Sequence, residues 1–154
     1  MKRRAVFLII LALALTSTAQ ITNPEAEAIL ITKMADEYLK TSEYEMAIYY
    51  YQKSLSIYPG YVKTQFQLAQ SFRLSLQLDS ARFHYQKIIS NNQDLRYPMS
   101  RYHLAMMQLD QQKYSEAREN LIVFRKLLLD NNMHVLKKYQ DFYAQTASEL
   151  DKLK

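Results

Sequence analysis

Apolar residues in this chain recur every three to four positions, not every two. Ile31, Met34, Ala35 and Tyr38 fall at i, i+3, i+4 and i+7 with polar residues between them, the spacing that places side chains on one face of an α-helix. Similar stretches follow to the end of the chain and predict seven helices. The first opens at Asn23-Pro24-Glu25, a capping residue, a proline at the first helical position and an acidic first turn, and runs to about Lys40. Thr41-Ser42 is expected to cap the second, which ends near Tyr58-Pro59-Gly60, where proline blocks continuation and glycine permits the reversal. The third and fourth are expected over about 61–76 and 79–91, with Asp79 or Ser80 as cap. Asn91-Asn92-Gln93-Asp94 reads as a polar loop, and the fifth and sixth helices follow over about 97–111 and 114–130. The seventh, about 133–152, carries Val135, Tyr139, Phe142, Thr146 and Leu150 on one stripe, with Lys137, Lys138, Asp141, Gln145, Glu149 and Lys152 largely elsewhere.

The same landmarks recur along these helices. Met34-Ala35 returns as Leu68-Ala69 and Leu104-Ala105, at spacings of 34 and 36 residues. A second alanine lies 12 residues after each (Ala47, Ala81, Ala117), and Tyr51, Tyr85 and Leu121 stand four beyond those. Helix-on-helix packing explains the set. A small residue on one helix lets the next approach closely, the second alanine faces back across that contact, and the large residue one turn on fills the space toward the next unit. No unit can bury its faces alone, so the units must stack.

These residues resemble the tetratricopeptide repeat family. The first copy reads Ile31-x2-Met34-Ala35-x2-Tyr38, then Ala47-x3-Tyr51 and Pro59; the second reads Gln65-x2-Leu68-Ala69-x2-Phe72, then Ala81-x3-Tyr85; the third reads Arg101-x2-Leu104-Ala105-x2-Gln108, then Tyr114, Ala117 and Leu121. Gln65 and Arg101 depart from the family's bulky residue, and Gln108 from its aromatic. The resemblance implies an all-α, right-handed solenoid of three antiparallel hairpins over about 28–61, 62–97 and 98–131, preceded by a lead-in at 20–27. Residues 132–154 are expected to form a closing helix with a polar outer face. It also implies a concave groove lined by the first helix of each hairpin. Carried across, the groove positions are Thr32, Lys33 and Asp36; Lys63, Phe66, Gln67, Gln70 and Arg73; and Met99, Tyr102, His103 and Met106. A subset of the family grips a C-terminal carboxylate at positions that here are Thr32, Asp36, Gln67, Met99 and His103. No basic-and-amide set stands there, so that mode is not expected.

Composition narrows the picture. One glycine and three prolines in 154 residues leave little for tight hairpins of strands, and 49% hydrophobic residues are enough for a globular core. There is no cysteine, hence no disulfide or thiolate ligand. At the N-terminus Lys2, Arg3 and Arg4 precede an apolar run from Ala5 to Leu15, and Ser17-x-Ala19 offers small residues before Gln20. As a helix that run reaches ~16 Å, short of the ~30 Å of a bilayer core, so residues 1–19 read as a signal peptide cut between Ala19 and Gln20. The protein is then exported, periplasmic or secreted, and membrane attachment would come only through an uncleaved N-terminus. Of 20 basic and 15 acidic residues, three basic and no acidic ones lie in 1–19, leaving 17 against 15 and a net charge of +2. That is too little for nucleic-acid binding.

Catalytic patterns are missing. Neither a nucleotide loop nor a dinucleotide fingerprint is present, and His84, His103 and His134 have no metal-ligand spacing. No enzyme activity, metal or cofactor is expected. The sequence points to an exported scaffold or adaptor that binds a peptide or helix of a cell-envelope partner in its groove, with a homodimer through an end hairpin as a possibility. The alternatives are an accessory or sensing module that binds a small ligand, and a scaffold tethered by its N-terminal helix.

Overall fold

The computed structural model describes residues 23–153; the expected signal peptide at 1–19 and its expected cut site lie outside them. Seven α-helices follow in order: α1 Pro24–Lys40, α2 Tyr44–Ile57, α3 Val62–Leu74, α4 Leu78–Ser90, α5 Met99–Asp110, α6 Tyr114–Asp130 and α7 Lys137–Lys152, with a 3-10 turn at Met133–Val135 before the last. Consecutive helices pack as hairpins (α1 with α2, α3 with α4, α5 with α6). Each hairpin stacks on the next through α2 against α3 and α4 against α5, and α7 lies against α6. The expected all-α solenoid is present. Among the described residues no helix is long and apolar enough to cross a membrane.

The repeat landmarks sit where the packing argument puts them. Ala35, Ala47, Ala69, Ala81, Ala105 and Ala117 are all fully buried, as are Tyr51, Tyr85 and Leu121. One landmark differs: Leu68 and Leu104 are buried, but Met34 is 43% exposed. Leu68 and Leu104 belong to hairpins with another hairpin before them, and among the described residues Met34 has none.

The departures from the family pattern are compensated in register. Tyr38 stacks on Tyr50 at 5.3 Å between ring centroids. One repeat later Phe72 stacks on His84 at 5.3 Å. In the third copy the equivalent pair is Gln108 and Asn120, and the stack becomes a hydrogen bond: Asn120 Nδ2 donates to Gln108 Oε1 at 2.9 Å. The bulky position follows suit. Gln65 hydrogen-bonds His84 Nδ1, and Arg101 donates to Asn120 Oδ1 at 3.0 Å while pairing with Asp94 at 2.5 Å. Each polar substitution on one helix is thus met by a polar partner 12 or 19 residues on, as buried polar groups require.

The turns correct the sequence reading. Thr41-Ser42 does not cap α2, and neither Asp79 nor Ser80 caps α4: Glu43 and Gln77 hold those positions without a side-chain cap bond. Ser42, Leu76, Asn92 and Gln112 instead adopt left-handed φ of 64°, 63°, 55° and 60°. Each closes the preceding helix with a pair of backbone bonds, such as Gln77 N to Phe72 O and Leu76 N to Arg73 O, the Schellman arrangement in which glycine is usual. The single glycine is not used this way. Gly60 has no positive φ, and a Cβ there would meet nothing within 4 Å. Asn23 does cap α1, accepting from Glu25 N at 3.0 Å.

Candidate functional site

The residues expected along the groove fall into three groups. Thr32, Asp36 and Lys63 are engaged within the fold. Thr32 is a correction: it is 1% exposed and joins three helices. Ser54 Oγ donates its only hydrogen to Ala28 O at 2.8 Å, so Thr32 Oγ1 must donate to Ser54 at 2.8 Å and accept from Thr64 Oγ1 at 2.7 Å. Asp36 accepts from Tyr51 Oη at 2.7 Å and from Lys63 Nζ at 2.8 Å. The bond to Asp36 raises the Lys63 ammonium above its ordinary pKa. Burial, reinforced by Asp36, pushes the Tyr51 phenol far up. Lys33 stands exposed on α1, away from any ion-pair partner among the described residues.

A second group packs inside. Phe66 is half-buried, stacked on Tyr97 at 5.1 Å and tilted against Tyr85 at 6.1 Å. Met99 packs against the cluster under α7. Tyr102 is only 5% exposed. Its ring meets Phe142 edge-on at 4.9 Å and Phe124 at 5.5 Å, and its hydroxyl donates to Gln145 Oε1 at 2.7 Å. Tyr102 therefore holds the closing helix down and is not a free anchor. Gln67 is half-buried on α3, and only its backbone carbonyl has a bond of note, from Ser71 Oγ at 3.0 Å.

The third group forms a cleft of ≈ 520 Å³ bounded by α3, the α3–α4 turn, α5 and α7. Arg73, His103 and Met106 line it, with Phe142 and the edge of Tyr102 beneath α7 and Asp110 at the rim. Leu76 and Leu78, not foreseen from the sequence, complete its apolar wall. Leu76 is 81% exposed at its left-handed φ. The sequence signal available was a leucine in a turn where glycine or asparagine is usual.

The electrostatics of the cleft centre on Arg73. Its Nε and Nη2 donate to Gln70 Oε1 at 3.1 and 2.8 Å, and among the described residues it has no carboxylate partner. The His103 ring stacks on Tyr85 at 5.6 Å and meets Tyr102 edge-on at 5.4 Å. Burial, aided by the Arg73 charge, lowers its pKa to about 3, so it is neutral at pH 7. The buried Tyr85 hydroxyl has no hydrogen-bond partner of good geometry. Burial raises its pKa, with the nearby Arg73 opposing only in part. The cleft thus combines apolar walls with a guanidinium, Arg73, that makes no ion pair among the described residues, and a carboxylate, Asp110, in its lining. Among the described residues no cluster of His, Asp or Glu could hold a metal.

No protein-family model matches this sequence, and no curated protein does. Solved structures do. The Yersinia enterocolitica type III secretion chaperone SycD, in complex with a peptide of the translocator YopD, superposes with a TM-score of 0.70 at 17% identity, covering 87% of this chain and 95% of that one. SycD in an alternative dimer gives 0.69 at 16% identity with the same coverage. The Sgt2 TPR domain from Aspergillus fumigatus gives 0.63 at 17% identity, covering 82% of this chain and 80% of that one. The fold is therefore the tetratricopeptide type: three antiparallel helix hairpins stacked as a solenoid and closed by a seventh helix.

Proposed function

We propose that this protein is an exported adaptor that holds a segment of another protein, peptide or helix, in the cleft between α3, α5 and α7. The observation that carries the reading is the apolar wall of exposed Leu76 and Leu78 and half-buried Met106 beside Arg73, which makes no ion pair among the described residues. Apolar anchors beside a guanidinium suit a segment carrying large apolar side chains and one carboxylate. SycD, of like fold, was crystallised with a peptide, which supports a protein ligand for this architecture. Export rests on Lys2-Arg3-Arg4, the run Ala5–Leu15 and the small residues before Gln20, and N-terminal sequencing of the native protein should give Gln20 first.

The binding reading is tested by chemical cross-linking and affinity capture from the native envelope, comparing wild type with Leu76→Glu and Leu78→Glu. Phe66 and Tyr102 make poor probes, since a charge at either would disturb the packing itself. One protein enriched by wild type and lost from both variants, with helical circular dichroism unchanged, is the expected result. A partner that survives both substitutions would place binding elsewhere. Enrichment of nothing, with a thermal shift from metabolites, would favour a small ligand in the same cleft.

A further inference from the structure

The front of the solenoid carries a second apolar surface. Leu30 and Met34 on α1 are 62% and 43% exposed, and Ala26 is exposed one turn before them. By the repeat register the counterparts of Leu30 are Thr64 and Ser100, and those of Met34 are Leu68 and Leu104. All four are buried, on the two helices that pack against the hairpin before them. Among the described residues α1 shows the same face with no hairpin in front of it.

We propose that this stripe pairs with the same stripe of a second copy, antiparallel, about a two-fold axis at Leu30. Ala26 and Met34 stand four residues either side of Leu30. Self-pairing therefore sets the small residue of one copy beside the large one of the other in both outer layers, with the i+4 ridges interdigitating. At the far end α7 exposes Lys138, Asp141, Gln145 and Ser148, and head-to-tail stacking on that face would bury charge against Leu30. One 17-residue helix on another is a small contact, and the dimer is expected in the micromolar range, not as an obligate one.

The chain has no cysteine, so Leu30→Cys places a lone thiol on the proposed axis. Phe83→Cys, at a residue 60% exposed on α4, is the control. With the full chain, sedimentation up to roughly 100 μM should show a reversible dimer, and Leu30→Glu should remain monomeric with unchanged helicity. Disulfide dimers of Leu30→Cys should form at least about tenfold faster than those of Phe83→Cys. A wild type that is monomeric throughout overturns the proposal, as does a dimer that survives Leu30→Glu. Cross-linking of the Leu30→Cys variant no faster than the control does so too, and points to another cover for the face, such as residues 1–22 or a partner's helix.

Discussion

Single residues make opposite contributions at equivalent places in this repeat. Thr32, Ser54 and Thr64 form a closed polar chain between the first two hairpins. One repeat on, their counterparts are Phe66, Ile88 and Ser100, and the Ser100 hydroxyl is buried with no partner. A buried hydroxyl that loses its partner costs about 1–3 kcal/mol. Thr32→Val should therefore lower the unfolding free energy measured by urea titration by an amount of that order, while Ser100→Ala should raise it. A Thr32→Val variant as stable as wild type would contradict the assigned network. Leu76 shows the same logic in the backbone. A Cβ at left-handed φ costs ~1–2 kcal/mol, partly offset by glycine's greater freedom when unfolded. Leu76→Gly should thus stabilise by a few tenths to about 1 kcal/mol while weakening partner capture. That cost is borne at an 81% exposed leucine, which is why the cleft is placed there. Gly60→Ala, with no strain and open space, should stabilise without touching binding.

Two histidines tie stability to pH. Burial lowers His103 to about 3 and, with Lys87, His84 to about 4, below the ordinary value of 6.5. Both are neutral in the folded state and take up protons more readily when unfolded, so acid favours unfolding. Their contribution is complete above pH 6.5 and is lost as pH falls toward 4 and 3. The melting temperature should fall between pH 7 and 5, and His103→Gln should flatten that fall. An unchanged pH slope in the variant would contradict the burial of that ring.

At the scale of elements, the hairpins were legible because their packing needs specific residue types at fixed spacing. Alanine at six interface positions and the large residues Tyr51, Tyr85 and Leu121 cannot move without opening or crowding a helix contact. The helix ends were less legible. Thr41, Ser42, Asp79 and Ser80 have the chemistry of N-caps, but the chain closes each preceding helix first, with backbone bonds through a left-handed residue. The bonds use backbone groups, and here Ser42, Leu76, Asn92 and Gln112 make them in place of the usual glycine, so they leave little signature. The groove positions were legible only in part, for a similar reason. Helical spacing places Tyr102 and Met106 on adjacent turns of α5, yet only the presence of α7 decides that Tyr102 is covered and Met106 is left beside the cleft.

The hold on α7 has its own test. Arg125 lies 4.0 Å from the Tyr143 ring centroid, and its Nη1 donates to Tyr143 O at 2.6 Å and to Thr146 Oγ1 at 3.2 Å. Arg125→Ala should cost about 1–3 kcal/mol, and hydrogen exchange should rise in residues 137–152 but not in α1–α3. Uniform loosening of all helices would mean that α7 belongs to one cooperative unit with the hairpins.

On the proposed reading the whole molecule has two surfaces with different tasks: the cleft at the α7 end for a partner, and the α1 stripe at the front for a second copy. Both are places where an apolar residue stands exposed although the repeat would otherwise bury or omit it. The central claim is that binding occurs at the cleft. Its most direct test is a photo-crosslinking amino acid placed at Leu76 and, separately, at Phe83 on the α4 surface, with the protein illuminated in the cells that make it. A single adduct of defined mass from position 76 and none from 83 is the expected result; the same adduct from 83, with none from 76, would contradict it.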